Sequence, residues 1–213
     1  MAAAFAAGMC FPARSPAVCT QADLTVRPDA APFSPAVSTM ATAETQPNAA
    51  LPEKWVCLTF DDGPSKTTPD VLSALNAAGV HGTFFVVATD YNEKYLPLLT
   101  EAASAGHQIA LHSNSHRYRT IYSVSRRYGG KGLMKQLKAE VEQKGWQWVD
   151  WNVCAEDAVG GHPSADTIYR NVVRETGEQT HCIVLMHDSS TTRTTAEALP
   201  DIIRWYADNG YTF

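Results

Sequence analysis

Two histidines four residues apart and two adjacent aspartates are the side chains of this sequence best placed to do chemistry. The histidines are His112 and His116, and the aspartates, Asp61 and Asp62, open a segment that reads Asp-Asp-Gly-Pro. Residues four apart lie on one face of a helical turn, so both imidazoles could bind one ion. Two histidines and one carboxylate leave positions on that ion open for water and substrate. The second aspartate, which points in another direction, would stay free to accept a proton.

Each of these motifs also has an ordinary structural interpretation. A His-x-x-x-His pair is often incidental, and Asp-Asp-Gly-Pro is typical of a solvated turn or of the residues before a helix. A further histidine, His187, follows another apolar run. It could act as an acid, since the ordinary pKa of histidine lies near neutrality, or it could be a residue at the edge of the core. The chemical interpretation is favoured because all of these residues follow predicted strands.

From residue 53 onward, β-branched or aromatic runs alternate with helical segments, which predicts βα units around a parallel sheet. Predicted strands cover residues 55–60, 83–87, 108–112, 147–151 and 182–186, with a short final strand at 211–213. Predicted helices cover residues 69–78, 95–105, 133–144, 164–175 and 194–209, and a glycine suited to a helix C-cap follows each closely. In such folds the functional side chains gather where the strands end.

The first 52 residues have a different composition from the rest. They hold 7 of the 12 prolines and show no apolar repeat at the helix or strand period. We predict that residues 1–52 form a disordered Pro/Ala/Thr-rich segment or linker. Its small apolar beginning fits a remnant of a secretion signal or tether, but it lacks the basic residues of such a signal and fits plain disorder equally well. Residues 53–213 are predicted to form one catalytic-sized domain.

Four ordered motifs carry a resemblance to a known family. They are Thr-Phe-Asp-Asp-Gly-Pro at 59–64, His-Ser-Asn-Ser-His at 112–116, Asp-Trp at 150–151 and Leu-Met-His at 185–187. Together they resemble the motifs of polysaccharide deacetylases, the carbohydrate esterase family that shares the NodB homology domain. The resemblance implies an α/β fold, a distorted (β/α) barrel. It also implies metal-dependent removal of an N-acetyl group from a polymeric aminosugar, or of an O-acetyl group in some members.

The resemblance also implies a role for each matching residue. Asp61 would be the general base and His187 the general acid, with Asp150 as the carboxylate that orients His187. The implied ligands of one divalent ion, Zn²⁺ first and Co²⁺, Mn²⁺ or Fe²⁺ as alternatives, are Asp62, His112 and His116. The implied substrate-binding residues, two of them walls of an acetyl pocket, are Pro64, Trp151 and Leu185.

One family motif is missing from this sequence. The family carries an arginine, followed by proline and glycine, on a strand between the second and third motifs, and no such run occurs here. Only 15 residues, 117–131, separate His116 from Gly132, too few for a crossover helix and a strand. We therefore predict that the barrel lacks one βα unit. In the family that arginine tethers the catalytic aspartate, so without it Asp61 would be poorly held. We therefore predict that metal binding is retained while catalysis is weakened or lost.

Charge and composition narrow the choice of partner. There are 17 Lys and Arg residues against 22 Asp and Glu, a net charge of −5, which argues against a nucleic-acid partner. No apolar stretch is long enough to span a membrane. Eight basic residues between Arg117 and Lys144 predict a positive face, either solvated or in contact with an anionic cell-wall polymer.

Three functions follow from these observations. The first is a monomeric deacetylase, secreted or associated with the cell envelope, that acts on an acetylated aminosugar polymer such as peptidoglycan or a chitin-like glycan. The second is an inactive pseudoenzyme that binds metal or glycan, which the missing arginine motif favours. The third, a nucleic-acid binder, is supported only by the basic residues.

Overall fold

Strands followed by helices make up most of the chain described by this computed structural model, which covers residues 8–10, 53–87, 89–113, 116 and 131–213. The strands are β1 (Gly8–Cys10), β2 (Trp55–Asp61), β3 (Gly82–Val87), β4 (Gln108–Ser113), β5 (Gln147–Val149), β6 (Val153–Cys154) and β7 (His181–His187). The helices are α1 (Thr68–Ala78), α2 (Pro97–Ser104), α3 (Lys131–Gln143), α4 (Ala165–Thr176) and α5 (Arg193–Asp208), and a 3-10 turn covers Glu93–Tyr95.

The described strands form one sheet in the order β5-β1-β4-β3-β2-β7-β6. From β4 through to β6 every neighbouring pair is parallel. The edge strands β5 and β6 are separated by only three residues, 150–152. The chain from Val149 to Val153 can reach at most about 14 Å, whereas the edges of a flat seven-stranded sheet would lie about 29 Å apart. The sheet must therefore curl until its edges approach each other, as in a barrel.

Strand β1 lies between β4 and β5 and runs antiparallel to both. In the described part of the chain no parallel strand lies between β4 and β5, where we predicted that a βα unit is missing. Pairing with β1 occupies main-chain groups of both neighbours that would otherwise have no partner. Residues 8–10 are thus part of the sheet, which corrects the prediction of a linker for these three residues. The rest of residues 1–52 lies outside the described residues.

The two faces of β2 have different neighbours because side chains alternate along a strand. Val56, Leu58 and Phe60 belong to the main core, and the ring of Phe60 stacks on that of Phe84 with centroids 5.1 Å apart. Helices α1, α4 and α5 pack on this face, and strands β3, β6 and β7 also contribute side chains to that core. The intervening residues Thr59 and Asp61 lie on the other face, so the strand delivers Asp61 to the inside of the curled sheet.

The helices agree with the sequence prediction to within two residues at each end, because their caps follow local rules. Helix α1 ends at Gly79, which has the left-handed φ of 67°. Helix α4 begins after Ser164, whose side chain accepts a hydrogen bond from the backbone N–H of Thr167. No described helix is both long and apolar enough to cross a membrane.

The strand predictions needed more correction than the helices. The strand predicted over 147–151 ends at Val149, and the two-residue strand β6 was not predicted at all. The predicted final strand at 211–213 is reduced to one bridge between Thr212 and Trp55. Short strands carry too few residues for alternation to identify them, and the pairing in the fold decides where they lie.

Candidate metal and catalytic site

The loop after β2 and the end of β4 bring three side chains together. Asp62 Oδ1 lies 3.5 Å from Nε2 of His112 and 3.2 Å from Nε2 of His116. The two imidazoles are stacked, with ring centroids 5.1 Å apart. One possible ligand atom from each residue lies within 4.8 Å of the others. These are the three residues predicted as metal ligands from the sequence.

The chemistry of this group fits a divalent cation. Oδ1 of Asp62 is buried and has no hydrogen-bond partner among the described residues. Burial lowers the pKa of His112 to about 4, although the charge of Asp62 opposes this. The imidazole is therefore neutral at pH 7 and keeps the lone pair that a metal needs. Three protein ligands leave coordination positions open, as in catalytic sites. Within the described ranges no other group of three such side chains comes as close together.

Asp61 lies beside this group but is not part of it. Its side chain is buried, and its Oδ2 is 3.6 Å from Nδ1 of His112, beyond hydrogen-bonding distance. Burial raises the pKa of Asp61 to about 8, opposed by the charge of His187 and reinforced by neighbouring carboxylates. Among the described residues no arginine pairs with Asp61. A cation bound nearby would lower the pKa of this carboxyl.

His187 ends β7 and is held by a buried carboxylate. Its Nδ1 lies 2.8 Å from Oδ1 of Asp157, and its backbone N–H donates to Oδ2 of the same residue over 2.8 Å. Burial lowers the pKa of His187. The hydrogen bond and charge of Asp157, together with the charges of Asp62 and Asp61, outweigh this effect and raise the pKa to about 9. His187 is therefore protonated at neutral pH and suited to act as an acid.

The prediction that Asp150 orients His187 is wrong, because Asp157 does so. Asp150 Oδ2 instead pairs with Nζ of Lys138 at 3.1 Å, and this ammonium lies 3.5 Å over the ring of Trp148. The error follows from the strand boundaries. Asp157 comes after β6, which pairs directly with β7, whereas Asp150 follows β5 at the opposite edge of the sheet order. The sequence does contain a weak indication of this role, since the acidic residues 156–157 closely follow Val153–Cys154, the short apolar pair that forms β6.

Thr195 supplies a second donor to Asp157 and gives a test of this arrangement. Its Oγ1 donates to Oδ2 of Asp157 over 2.7 Å, and both side chains are buried. Thr195→Val should lower the free energy of unfolding by about 1–3 kcal/mol, because a buried carboxylate oxygen loses a donor. Urea denaturation measures this. Thr194→Val is the matched control on the adjacent, partly exposed position, and an equal loss in both variants would contradict the role of Thr195.

Two predicted pocket residues lie next to Asp61. Trp151 and Leu185 line a small cavity together with Asp61 and Asp150. The remaining lining residues are Thr59, Phe85, Val149 and Ile183. The indole Nε1 of Trp151 is buried without a hydrogen-bond partner among the described residues. The walls of this cavity are mostly apolar, and the carboxyl-bearing residues Asp61 and Asp150 both line it.

The third predicted substrate residue, Pro64, is buried in the loop after β2 and is held by a residue that the sequence analysis missed. Nδ2 of Asn92 donates to the carbonyl of Pro64 over 2.8 Å and to that of Asp62 over 3.3 Å. Thr89 Oγ1 in turn donates to Oδ1 of Asn92 over 2.5 Å. Asn92 lies in a loop without a recognisable motif, so no sequence signal pointed to its role.

The basic face predicted between Arg117 and Lys144 falls only partly within the described residues. Arg117, Arg119, Arg126 and Arg127 lie outside the described residues. Of the described lysines, Lys138 forms an ion pair with Asp150 and a cation–π contact with Trp148.

Comparisons with known proteins agree with the geometry. Residues 48–143 match the family model for polysaccharide deacetylases. The structure resembles the catalytic domain of peptidoglycan N-acetylglucosamine deacetylase from Eubacterium rectale, with a TM-score of 0.67 and 30% sequence identity, covering 80% of this chain and 91% of that one. The fold is thus the distorted (β/α) barrel of these enzymes.

Two curated relatives extend the comparison. YheN of Bacillus subtilis is 28% identical over 200 residues, which is 76% of this chain and 66% of YheN. The peptidoglycan-N-acetylglucosamine deacetylase PgdA of Listeria monocytogenes is 29% identical over 187 residues, 77% of this chain and 38% of PgdA. The chain spans at most about two thirds of either relative's length. From the family match, the shared barrel and these similarities, we conclude that the chain belongs to the polysaccharide deacetylase family, carbohydrate esterase family 4, which carries the NodB homology domain.

Proposed function

We propose that this protein is a metal-dependent hydrolase that removes N-acetyl groups from a cell-wall or chitin-like polysaccharide. The observation that carries the proposal is the convergence of Asp62, His112 and His116, with the buried carboxylate of Asp61 beside them. The relatives support the substrate class, since PgdA and the Eubacterium rectale enzyme are peptidoglycan N-acetylglucosamine deacetylases by name.

Different residues around the ligand group would hold the metal, act as the base and act as the acid. A divalent cation held by Asp62, His112 and His116 would supply Lewis-acid polarisation of an acyl oxygen and of water. Asp61, as the unliganded carboxylate, accepts the proton of the attacking water. His187, kept protonated by Asp157, donates a proton to the departing amine nitrogen.

Substrate placement is assigned to the small cavity beside Asp61. Trp151 and Leu185 would enclose the acetyl methyl group, because apolar walls exclude water from it. Zn²⁺ is the ion we propose first, since two imidazoles and a carboxylate suit it, and Co²⁺, Mn²⁺ and Fe²⁺ accept the same ligands. We further propose that the protein acts as a monomer at the cell envelope or outside the cell, where such polymers occur.

A catalytically weakened protein that binds metal or glycan is the second candidate. It is favoured by the absence, among the described residues, of an arginine paired with Asp61. A base without that cation depends on burial and on the bound ion for its pKa and its position. This candidate predicts metal binding with little acetate release.

Acetate release from a panel of substrates tests the proposal. Peptidoglycan, an N-acetylated chitin oligomer and O-acetylated xylan are each incubated with the full chain and added Zn²⁺ or Co²⁺. We expect release from an N-acetylated glycan, and loss of that release in Asp62→Asn. Release from xylan alone would assign an esterase instead. Metal binding without release from any of the three would support the weakened protein.

A further inference from the structure

We propose that Asp188 is a positioning residue that holds the metal-binding loop, acting through Thr68 and Ser65. Asp188 directly follows His187, and only 1% of its surface is exposed. Asp188 is not one of the three candidate ligands, and it is not among the residues that line the cavity. The inference rests on the proposed function, because it concerns how the metal ligand Asp62 is kept in place.

The side chain of Asp188 contacts the start of helix α1. Thr68 Oγ1 donates to Oδ2 of Asp188 over 2.6 Å and accepts from the backbone N–H of Ser65 over 2.8 Å. Both hydroxyl functions of Thr68 are thus used, one on each partner. Asp188, Thr68 and Ser65 are all essentially buried, so water cannot replace either contact. The carboxylate therefore fixes the backbone three residues after Asp62.

The main chain of Asp188 makes further contacts with the same loop. Its carbonyl accepts from Ser65 Oγ over 2.5 Å, and its N–H donates to the carbonyl of Asp61 over 3.1 Å. Its carboxylate also packs on Gly63, where a Cβ would lie 2.1 Å from Oδ2. Asp188 therefore contacts the chain on both sides of Asp62, at Asp61 and at Gly63 and Ser65.

Asp62 needs such support because of its backbone. Its φ of 70° lies in the left-handed region, which is disfavoured for a residue with a side chain. Conformations of this kind persist only when the surroundings determine them. Asn92 holds the carbonyls of Asp62 and Pro64 from one side, and Asp188 holds Asp61, Gly63 and Ser65 from the other. Because Asp188 follows His187, the same contacts also join the ligand loop to the strand that carries the acid.

A purely structural role for Asp188 predicts a different outcome. In that case, loss of its contacts would lower stability without changing the affinity of the folded protein for metal. Positioning predicts weaker metal binding even in protein that remains folded, since loosening the residues behind a ligand typically costs about 10–100-fold in affinity. The affinity of the folded chain for Zn²⁺ alone therefore separates the two roles without any activity measurement.

The experiment is titration calorimetry of Zn²⁺ into the full chain and its variants, with folding checked by circular dichroism. We expect Thr68→Val and Asp188→Ala to weaken Zn²⁺ binding about tenfold or more. Asp188→Asn should restore nearly normal affinity, because its amide oxygen can still accept from Thr68. Ser65→Ala, a smaller change, removes the bond to the Asp188 carbonyl and the bond that Ser65 Oγ accepts from the backbone N–H of Thr67. It should also weaken Zn²⁺ binding, and it replaces the larger variants if they do not fold.

The control is Tyr206→Phe, which removes a buried hydroxyl bonded to Thr176 far from the ligand group, near the opposite end of β7. It should lower stability and leave Zn²⁺ affinity unchanged. Folded Thr68→Val or Ser65→Ala that binds Zn²⁺ as tightly as the wild type would overturn the role of Asp188. Wild-type protein that binds no Zn²⁺ would overturn the proposed function and this inference with it.

Discussion

Asp157→Asn is expected to reduce acetate release about 100-fold or more, because it removes the charge that keeps His187 protonated. Burial by itself lowers the pKa of His187, and the hydrogen bond and charge of Asp157 are what chiefly reverse this to about 9. In the native site the acid loses its proton only as the pH rises through that value. In the variant the proton is lost at lower pH, so the alkaline limb of the pH–rate profile moves toward acidic pH.

Asp150→Asn is the matched control, since it makes the same chemical change on the aspartate that pairs with Lys138. That pair is partly exposed, and such pairs contribute little. We expect the alkaline limb of the pH–rate profile to stay in place, because Asp150 does not pair with His187. The profile and not the absolute rate is compared, since Asp150 also lines the cavity. If Asp150→Asn shifted the profile and Asp157→Asn did not, the assignment of Asp157 would be wrong.

Asp61→Asn is expected to abolish most of the activity while leaving metal binding intact. Asparagine has the same shape but cannot accept the proton of the attacking water, and a general base contributes roughly 100- to 10,000-fold to a rate. Steady-state acetate release measures the loss. Zn²⁺ titration of the same protein should give an affinity close to that of the wild type, because Asp61 is not among the three ligands.

Asp62→Asn provides the comparison for Asp61. It removes the anionic ligand, so both metal binding and acetate release should be lost. If Asp61→Asn lost its metal and Asp62→Asn kept it, the two carboxylates would have exchanged roles.

The ligand group could be predicted from the sequence because its members lie at the ends of long strands. Strand β2 carries seven residues with a clear apolar pattern, and its pairing with β7 brings Asp61 opposite His187. The same holds for His112 on β4. Such strands are recognisable from alternation and length, and their carboxyl ends meet at one edge of the sheet.

The residues behind the ligand group could not be predicted in the same way. Asp157 follows a strand of two residues, and Asn92 lies in an irregular loop. Asp188 is adjacent to His187 in the sequence, yet its partners Thr68 and Ser65 lie about 120 residues away. Such contacts depend on tertiary packing, which a local pattern does not contain.

The barrel unit that we predicted to be absent illustrates what can and cannot be predicted from the sequence. The short spacing after His116 predicts that a parallel strand is absent. It does not predict which segment takes its place. In the structure, Met9 of β1 pairs with Leu111 and Trp148, so the substitute comes from the N-terminal region rather than from neighbouring sequence.

Calorimetric titration of Zn²⁺ into the full chain, compared with His116→Ala, tests whether Asp62, His112 and His116 bind one metal ion together. We expect one ion bound per wild-type chain and none at the same concentrations in the variant, because one of the three candidate ligands is lost. Wild-type protein that takes up no ion, or a His116→Ala variant that binds one equally well, would contradict this expectation.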